Sequence, residues 1–357
     1  MKTHGMKWFG AVLMAALLAA FGQPVFAASD PDTAAKAALG WLTSRQQADG
    51  SFPGFDAGAS ADAIFAITAA GGDPNSVRRN NTSAVDFLET QASSFGAKST
   101  AGAGKLALAA IAAGQDTANF GSQNLIEQIN ASYSTATKLY GTNPTDHSYA
   151  VLALMGAGQP IASGAAQGFT TSQFADGGWS FDGTTASGSD TNTTSLAIQA
   201  LAAAKIGGAT LDKAIAYLKT QQNADGGFPY SKASQYGSDS DANSTAAVIQ
   251  AMTAIGIDAR TLKQGANDPL GALVAFQNTS GGLRYQLALP DDNDLATAQA
   301  IPALLLKPLP IMPTSSLKTT SQPLPMPTTG GVPLPLWLIV PALALVVLGA
   351  IVRWRRA

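Results

Sequence analysis

Four short runs and one isolated carboxylate concentrate the side chains able to do chemistry. Ser187-Gly188-Ser189-Asp190-Thr191-Asn192-Thr193-Thr194 offers Asp190 and Asn192. Gly237-Ser238-Asp239-Ser240-Asp241-Ala242-Asn243-Ser244-Thr245, the richest run, offers Asp239, Asp241 and Asn243. Thr145-Asp146-His147 and Asp291-Asp292-Asn293-Asp294 add Asp146, His147 and Asp294, and Asp62 stands apart from the runs. Carboxylates, amides and hydroxyls at this density can hold a ligand by converging hydrogen bonds. A carboxyl among them could also move a proton. Taken singly, each residue reads as a helix cap, because Asp, Asn, Ser and Thr are the preferred N-caps. Taken as a set, they read as the rim of a binding mouth.

Composition removes several other chemistries. The chain has 357 residues, no cysteine, and only two histidines, His4 and His147. Disulfides and thiolate metal sites are therefore excluded, and a tetrahedral zinc centre lacks its nitrogen and sulfur ligands. Calcium would accept six to eight oxygens. No EF-hand loop spacing is present, so calcium is a weak reading and no other cofactor is implied. Charged residues make up 12% of the chain and the net charge is -2. That balance provides no basic face for nucleic acid.

The elements that must position these residues repeat. Gln222-Asn223-Ala224-Asp225-Gly226-Gly227-Phe228 recurs as Gln173-Phe174-Ala175-Asp176-Gly177-Gly178-Trp179. Further copies are Gln46-Gln47-Ala48-Asp49-Gly50-Ser51-Phe52 and Gln277-Asn278-Thr279-Ser280-Gly281-Gly282-Leu283. Between 32 and 306 the self-similarity has a period of roughly 43 to 52 residues, the range of stacked helical pairs or propeller blades. Apolar spacing decides for helices: Leu211, Ala214, Ile215 and Leu218 follow i, i+3, i+4, i+7, and strand-like alternation is scarce.

Each motif follows an amphipathic helix and precedes an Ala-rich helix that is apolar nearly all round. Ser60–Ile67, Gly104–Ile111, His147–Leu154, Thr194–Leu201, Thr245–Met252 and Thr297–Leu304 align as that second helix, which makes six units. Helices apolar on every side are buried, so the second helices form an inner layer within the charged first helices. An open solenoid of such units needs polar capping repeats at its ends. Neither end has one, so the reading is a closed all-α ring of six helical hairpins, an (α/α)6 toroid. Its inner-helix N-termini gather the polar runs at one mouth. Gly71, Gly114, Gly158, Gly207 and Gly256 stand just past five inner helices, where a left-handed cap favours glycine. Within the motif, Gly-Gly permits a tight reversal, the aromatic packs between helices, and Gln and Asp bond free backbone groups. The motif residues Gln46, Asp49, Gly50, Gln173, Asp176, Gly177, Gly178, Trp179, Gln222, Asp225, Gly226, Gly227 and Phe228 thus read as scaffold.

Gln-x-x-Asp-Gly-Gly-Trp/Phe after a helix resembles the repeat of the prenyltransferase and squalene/oxidosqualene-cyclase superfamily. The resemblance implies the same (α/α)6 toroid. It is strongest in the first, fourth and fifth units, partial in the sixth, and weak in the second and third. Protein prenyltransferases bind zinc through Asp, Cys and His, which a chain without cysteine cannot match. Asp239-Ser240-Asp241-Ala242 resembles the Asp-x-Asp-Asp acid of squalene-hopene-type cyclases, with Asp241 at the donor position and Ala242 in place of the last Asp. Those cyclases use two α-barrel domains, and this chain has one. Exported cobalamin carriers are similar single toroids, with an added β domain for which there is no room here.

The termini give a location. Residues 1–27 read as a secretory signal, with Lys2 and Lys7 before an apolar run and Val25-Phe26-Ala27 at the cleavage site. Residues 28–306 are the toroid, and 307–331 a Pro/Ser/Thr-rich stalk. Residues 332–352 are long and apolar enough for a transmembrane helix, and the basic tail 353–357 should stay cytoplasmic. Met326-Pro327-Thr328-Thr329-Gly330 resembles a sortase sorting signal with Met326 in place of Leu; Pro327, Thr329 and Gly330 match. The plain alternative is a membrane anchor after a stalk. The expected partners are the membrane, a sortase with the cell envelope, and an unidentified small-molecule or protein ligand. The leading expectation is a tethered toroid outside the cytoplasm that binds a ligand at its mouth without catalysis. The alternative is a terpenoid-cyclase-like or glycan-active enzyme that uses cavity Asp residues, with Asp241 as the acid.

Overall fold

The computed structural model describes residues 30–235 and 237–314. The leader, the sorting motif, the apolar span 332–352 and the basic tail lie outside them. Among the described residues no helix is long and apolar enough to cross a membrane.

The helices come in six pairs. First members are α1 (Pro31–Ser44), α3 (Ala84–Phe95), α5 (Leu125–Ala131), α7 (Ala165–Ser172), α9 (Ala209–Gln221) and α11 (Pro269–Ala275). Second members are α2 (Gly58–Ala69), α4 (Thr100–Ala112), α6 (Pro144–Gly156), α8 (Thr191–Ala203), α10 (Ala242–Ala254) and α12 (Asp294–Leu304). A two-stranded hairpin, Arg78–Arg79 with Thr82–Ser83, is the one sheet among the described residues. First members are amphipathic. On α9, Ala214, Tyr217, Leu218 and Gln221 form a buried stripe, while Lys213 and Lys219 face solvent. Second members are enclosed, and every residue of α2 is buried. The inner helices pack in sequence from α2 through α12, and α12 packs back on α2 and on α1. The ring is closed, as the missing capping repeats require.

The repeated motif makes one set of bonds four times. Gln46 Nε2 donates to the Gly50 carbonyl (3.1 Å) and to that of Val77 (3.1 Å). Gln173 reaches Gly177 and Thr210, both at 2.8 Å. Gln222 reaches Gly226 (3.0 Å) and Leu262 (2.8 Å). Gln277 reaches Gly281 (2.9 Å) and, across the seam of the ring, Ala34 in α1 (2.7 Å). One amide thus ties its own turn to the next unit. The glycine after it must have a positive φ, +94° at Gly177. A Cβ there would lie 2.4 Å from the Lys213 carbonyl of α9. The backbone N–H of Trp179, Phe228, Phe52 and Leu283 then donates to a hydroxyl in the following inner helix: Thr194, Thr245, Ser60 and Thr297.

Two expectations are corrected. Gly71, Gly114, Gly158 and Gly256 do take the left-handed conformation, at φ of +80°, +69°, +67° and +74°, but Gly207 does not. In the fourth unit Lys205 occupies that position at φ +57°, two residues after α8. Gly207 comes too late to serve. The segment 307–314, expected as the start of a stalk, is instead packed on the ring. From the end of α12, residues 307–314 turn back against the C-terminal ends of the inner helices. The Lys307 carbonyl accepts from Gln250 Nε2 (3.0 Å), and Leu309 N–H donates to Gln199 Oε1 (2.9 Å). Ile311 is buried.

Two substitutions should move stability in opposite directions. Gln277→Leu leaves the Ala34 and Gly281 carbonyls without their donor and should cost about 1–3 kcal/mol. Lys205 is exposed, so Lys205→Gly only relieves a left-handed residue and should gain about 1 kcal/mol. Chemical denaturation midpoints check both, at unchanged denaturant slope.

Candidate functional site

A cavity of about 250 Å³ lies inside the inner ring. Its upper wall comes from the first turns of the inner helices: Asp62 on α2, Thr145 on α6, Asp190, Asn192 and Thr193 on α8, and Asn243 on α10. Phe65, Tyr149, Phe181 and Tyr230 supply aromatic faces, and Phe181 is 54% exposed at the rim. Leu196, Ala247, Ala298, Pro302 and Leu309 make the lower wall apolar, broken by Gln199 and Gln250.

One side of the cavity is a bonded polar chain. Lys105 Nζ donates to Asp62 Oδ2 (2.8 Å) and Gln299 Nε2 to the same oxygen (3.2 Å). Asn243 Nδ2 donates in turn to Gln299 Oε1 (2.7 Å). Burial, the largest single influence, would lower the Lys105 ammonium, but the charge and hydrogen bond of Asp62 together with the charges of Tyr149 and Asp56 outweigh it, and its pKa is raised. This chain has settled charges and neutral links, the character of a positioning wall.

The opposite side is unsettled. Asp190 caps α8 through Oδ1, which accepts from Thr193 N–H at 2.6 Å. Its other oxygen, Oδ2, is buried without a hydrogen bond of full geometry, although the Tyr230 hydroxyl, the Thr193 side chain and the Phe181 backbone lie near enough to the carboxyl to act on it. Thr191 Oγ1, Asn192 Oδ1 and Ser195 Oγ on the same helix are equally unpartnered, so four of the five such atoms among the described residues fall on α8. A buried polar atom without a partner costs about 1–3 kcal/mol, and a run of them at one place asks for a reason. Burial pushes the Asp190 carboxyl up to about 6, against the hydrogen bonds from Thr193, Tyr230 and the Phe181 backbone that lower it. Burial, and after it the charge of Asp190, raises the nearby Tyr230 hydroxyl. A carboxyl that ionises near neutrality, in a cleft, with a free oxygen, can hold and deliver a proton.

Asp241, the expected acid, is built differently. It caps α10, and Ser244 occupies both its oxygens, by N–H to Oδ1 (2.7 Å) and by hydroxyl to Oδ2 (2.8 Å). Burial also takes its carboxyl to about 6, but it does not line the cavity. Of the nine expected ligand residues, Asp62, Asp190, Asn192 and Asn243 meet in the cavity. Asp146 instead binds Ala101 N–H (2.7 Å), Thr142 N–H (3.1 Å) and Asn143 Nδ2 (3.1 Å), bracing two units. His147 is fully buried. Its Nδ1 accepts from Tyr140 N–H (3.0 Å), so the proton sits on Nε2 and is donated to the Ala165 carbonyl (3.0 Å). Burial lowers it to about 4, and it stacks between Tyr140 and Phe169 as a neutral packing group. Asp294 pairs with exposed Arg45 on the outside of the seam (3.0 Å), and Asp239 is exposed. Among the described residues no three His, Asp or Glu side chains converge to hold a metal ion.

No protein-family model and no curated protein matches the sequence. Solved structures match the fold. A protein from Actinoplanes aligns with a TM-score of 0.54 at 16% identity, over 78% of this chain and 98% of that one. The type II terpene cyclase MstE from Scytonema aligns with a TM-score of 0.57 at 13% identity, over 77% of this chain and 97% of that one. A variant of that cyclase in complex with its substrate geranylgeranyl dihydroxybenzoate aligns with a TM-score of 0.55 at 14% identity, over 78% of this chain and 97% of that one. These likenesses establish a terpene-cyclase-like α/α ring.

The raised Asp190 carboxyl carries a pH signature. Its folded pKa lies above the ordinary 3.8, so the folded state binds the proton more tightly and stability falls as pH rises from about 4 through 6. His147 opposes this, because its lowered pKa costs stability as pH falls through the same window. Asn caps a helix as well as Asp and carries no charge. Asp190→Asn should therefore raise stability at pH 7 by about 1–3 kcal/mol and flatten the pH slope by the share of one carboxyl. Melting curves at several pH values, compared with wild type, check it.

Proposed function

We propose that the protein is a terpenoid-cyclase-like enzyme in which Asp190 is the acid. The observation that carries this reading is the buried, half-unpartnered Asp190 carboxyl facing an aromatic-lined cavity. It replaces Asp241 in the role and brings the enzymatic alternative ahead of ligand binding alone. Two-ring cyclases made a single ring look insufficient. The likeness to MstE, which this single ring matches over 97% of its length, removes that objection.

The substrate in this reading is a small, neutral isoprenoid. Drug-sized ligands occupy about 300–1,000 Å³, and about 250 Å³ is available here. Among the described residues no Lys or Arg lines the cavity, and Lys105 behind it is committed to Asp62, which leaves a diphosphate without a partner. A carboxyl ionising near 6 is a mild acid. It protonates an oxygen such as that of an epoxide more readily than an isolated alkene. Proton transfer from Asp190 breaks the epoxide C–O bond as a π bond of the same molecule attacks carbon. Loss of a proton from carbon then closes the sequence, so product and substrate are isomers. The faces of Phe65, Tyr149, Phe181 and Tyr230 stabilise the positive charge that moves through the chain. The leader-like 1–27 and the span 332–352 place this ring, in the same reading, outside the cytoplasmic membrane and tethered at its C-terminus.

The full chain, recovered from the membrane fraction where this reading puts it, should convert at least one member of a panel of short linear isoprenoid epoxides and alkenes to a cyclic isomer. Gas chromatography with mass detection reads the product. Turnover should fall as pH rises through about 6, and Asp190→Asn should lower it by at least about 100-fold, the scale of one general acid. Asp241→Asn should leave it nearly unchanged. Stoichiometric binding of panel members without any isomer formed would return the cavity to the ligand-binding reading.

A further inference from the structure

Residues 307–314, whose composition reads as stalk, cross the end of the ring opposite the mouth. The path is ordered. The Lys307 carbonyl takes the Gln250 amide of α10, and Leu309 N–H gives to the Gln199 amide of α8 (2.9 Å). Next, Pro310 lies against Gly156 of α6, where a Cβ would stand 3.0 Å from the proline ring. Pro313 then approaches Gly114, beyond α4. The segment thus visits the fifth, fourth, third and second units in turn.

Gln199 and Gln250 occupy equivalent places in two Ala-rich inner helices and line the cavity. Gln199, buried among alanines, needs a partner and finds it in the Leu309 N–H, while the half-buried Gln250 bonds the Lys307 carbonyl. Gln199 is 3% exposed, and its bond to Leu309 is part-buried. The side chain of Leu309 lines the cavity from below. From Asn192 at the upper wall to Gln199 at the floor, α8 rises about 10 Å.

We infer that residues 307–314 form a strap that seals the far end of the ring, and that Leu309 sets the length of substrate the cavity accepts. This rests on the cavity being the substrate site. Replacing Leu309 by alanine removes most of the carbon of one isoprene unit from the floor, and tryptophan raises the floor by more than that.

Two measurements on the full chain test the strap and its role separately. The first is hydrogen exchange at the Leu309 amide, which needs no ligand. It should be slowed at least about tenfold against an exposed amide, and Gln199→Ala should release it. Exchange of that amide at the exposed rate in wild type would overturn the strap. The second is thermal stabilisation by linear isoprenoid alcohols of increasing length, starting with prenol. Wild type should respond up to a limiting length. Leu309→Ala should extend the limit by one member, Leu309→Trp should shorten it by one, and Leu309→Met, of similar volume, should leave it in place. The same limit in the alanine and tryptophan variants would overturn the role of Leu309 while leaving the cavity reading intact. A protected amide with no response to any alcohol would overturn the substrate reading and the length-setting role together, and leave a structural strap.

Discussion

The ring depends on one amide used four times. Each motif glutamine bonds its own turn and the start of the next unit, and Gln277 makes that bond to Ala34, across 243 residues of chain. Without closure, α2 and α12 would each expose an apolar flank. With it, the inner helices surround a largely apolar space. Everything chemical about the cavity follows from that enclosure. Burial is what moves the Asp190 carboxyl toward neutrality, and burial is what makes its unpartnered oxygen expensive.

The inner helices divide structural from chemical work at their first turns. On α10, Ser244 satisfies both oxygens of Asp241, and the residue is a finished cap. On α8 the residue at the matching place, Thr193, gives its N–H to Asp190 Oδ1 and also lines the cavity, and its hydroxyl makes no bond to Oδ2 as tight as that of Ser244. Local conflict of this kind, an unsatisfied buried carboxyl in an otherwise consistent scaffold, is where proteins place function. The settled chain through Lys105, Asp62, Gln299 and Asn243 on the other wall gives an entering molecule a fixed surface to press against.

Much of the scaffold is legible in the sequence. Helical spacing, Ala-rich second helices and the absence of capping repeats lead to a closed ring, and Gln-x-x-Asp-Gly-Gly leads to its turns. The site is less legible. Asp190 and Asp241 stand in near-identical contexts, Asp-Thr-Asn-Thr-Thr and Asp-Ala-Asn-Ser-Thr, yet only Asp190 lines the cavity while Asp241 has both oxygens held by Ser244. Asp146 and His147 begin an inner helix but face neighbouring units, because each residue turns about 100° from the last. The cavity wall made by Phe65, Tyr149, Tyr230 and Gln299 gave no motif. The strap did leave a signal, since Leu309 and Ile311 are apolar residues placed among prolines, and the glutamines at 199 and 250 lack any partner within their own helices. Composition averaged that signal away.

The central claim is that ring closure and burial turn a helix cap into a proton donor. Carbon-13 NMR of aspartate-labelled full chain, titrated with pH and assigned by the resonance missing in Asp190→Asn, measures it directly. The account predicts that the Asp190 carboxyl titrates near 6. A midpoint at the ordinary carboxylate value of 3.8 would contradict it.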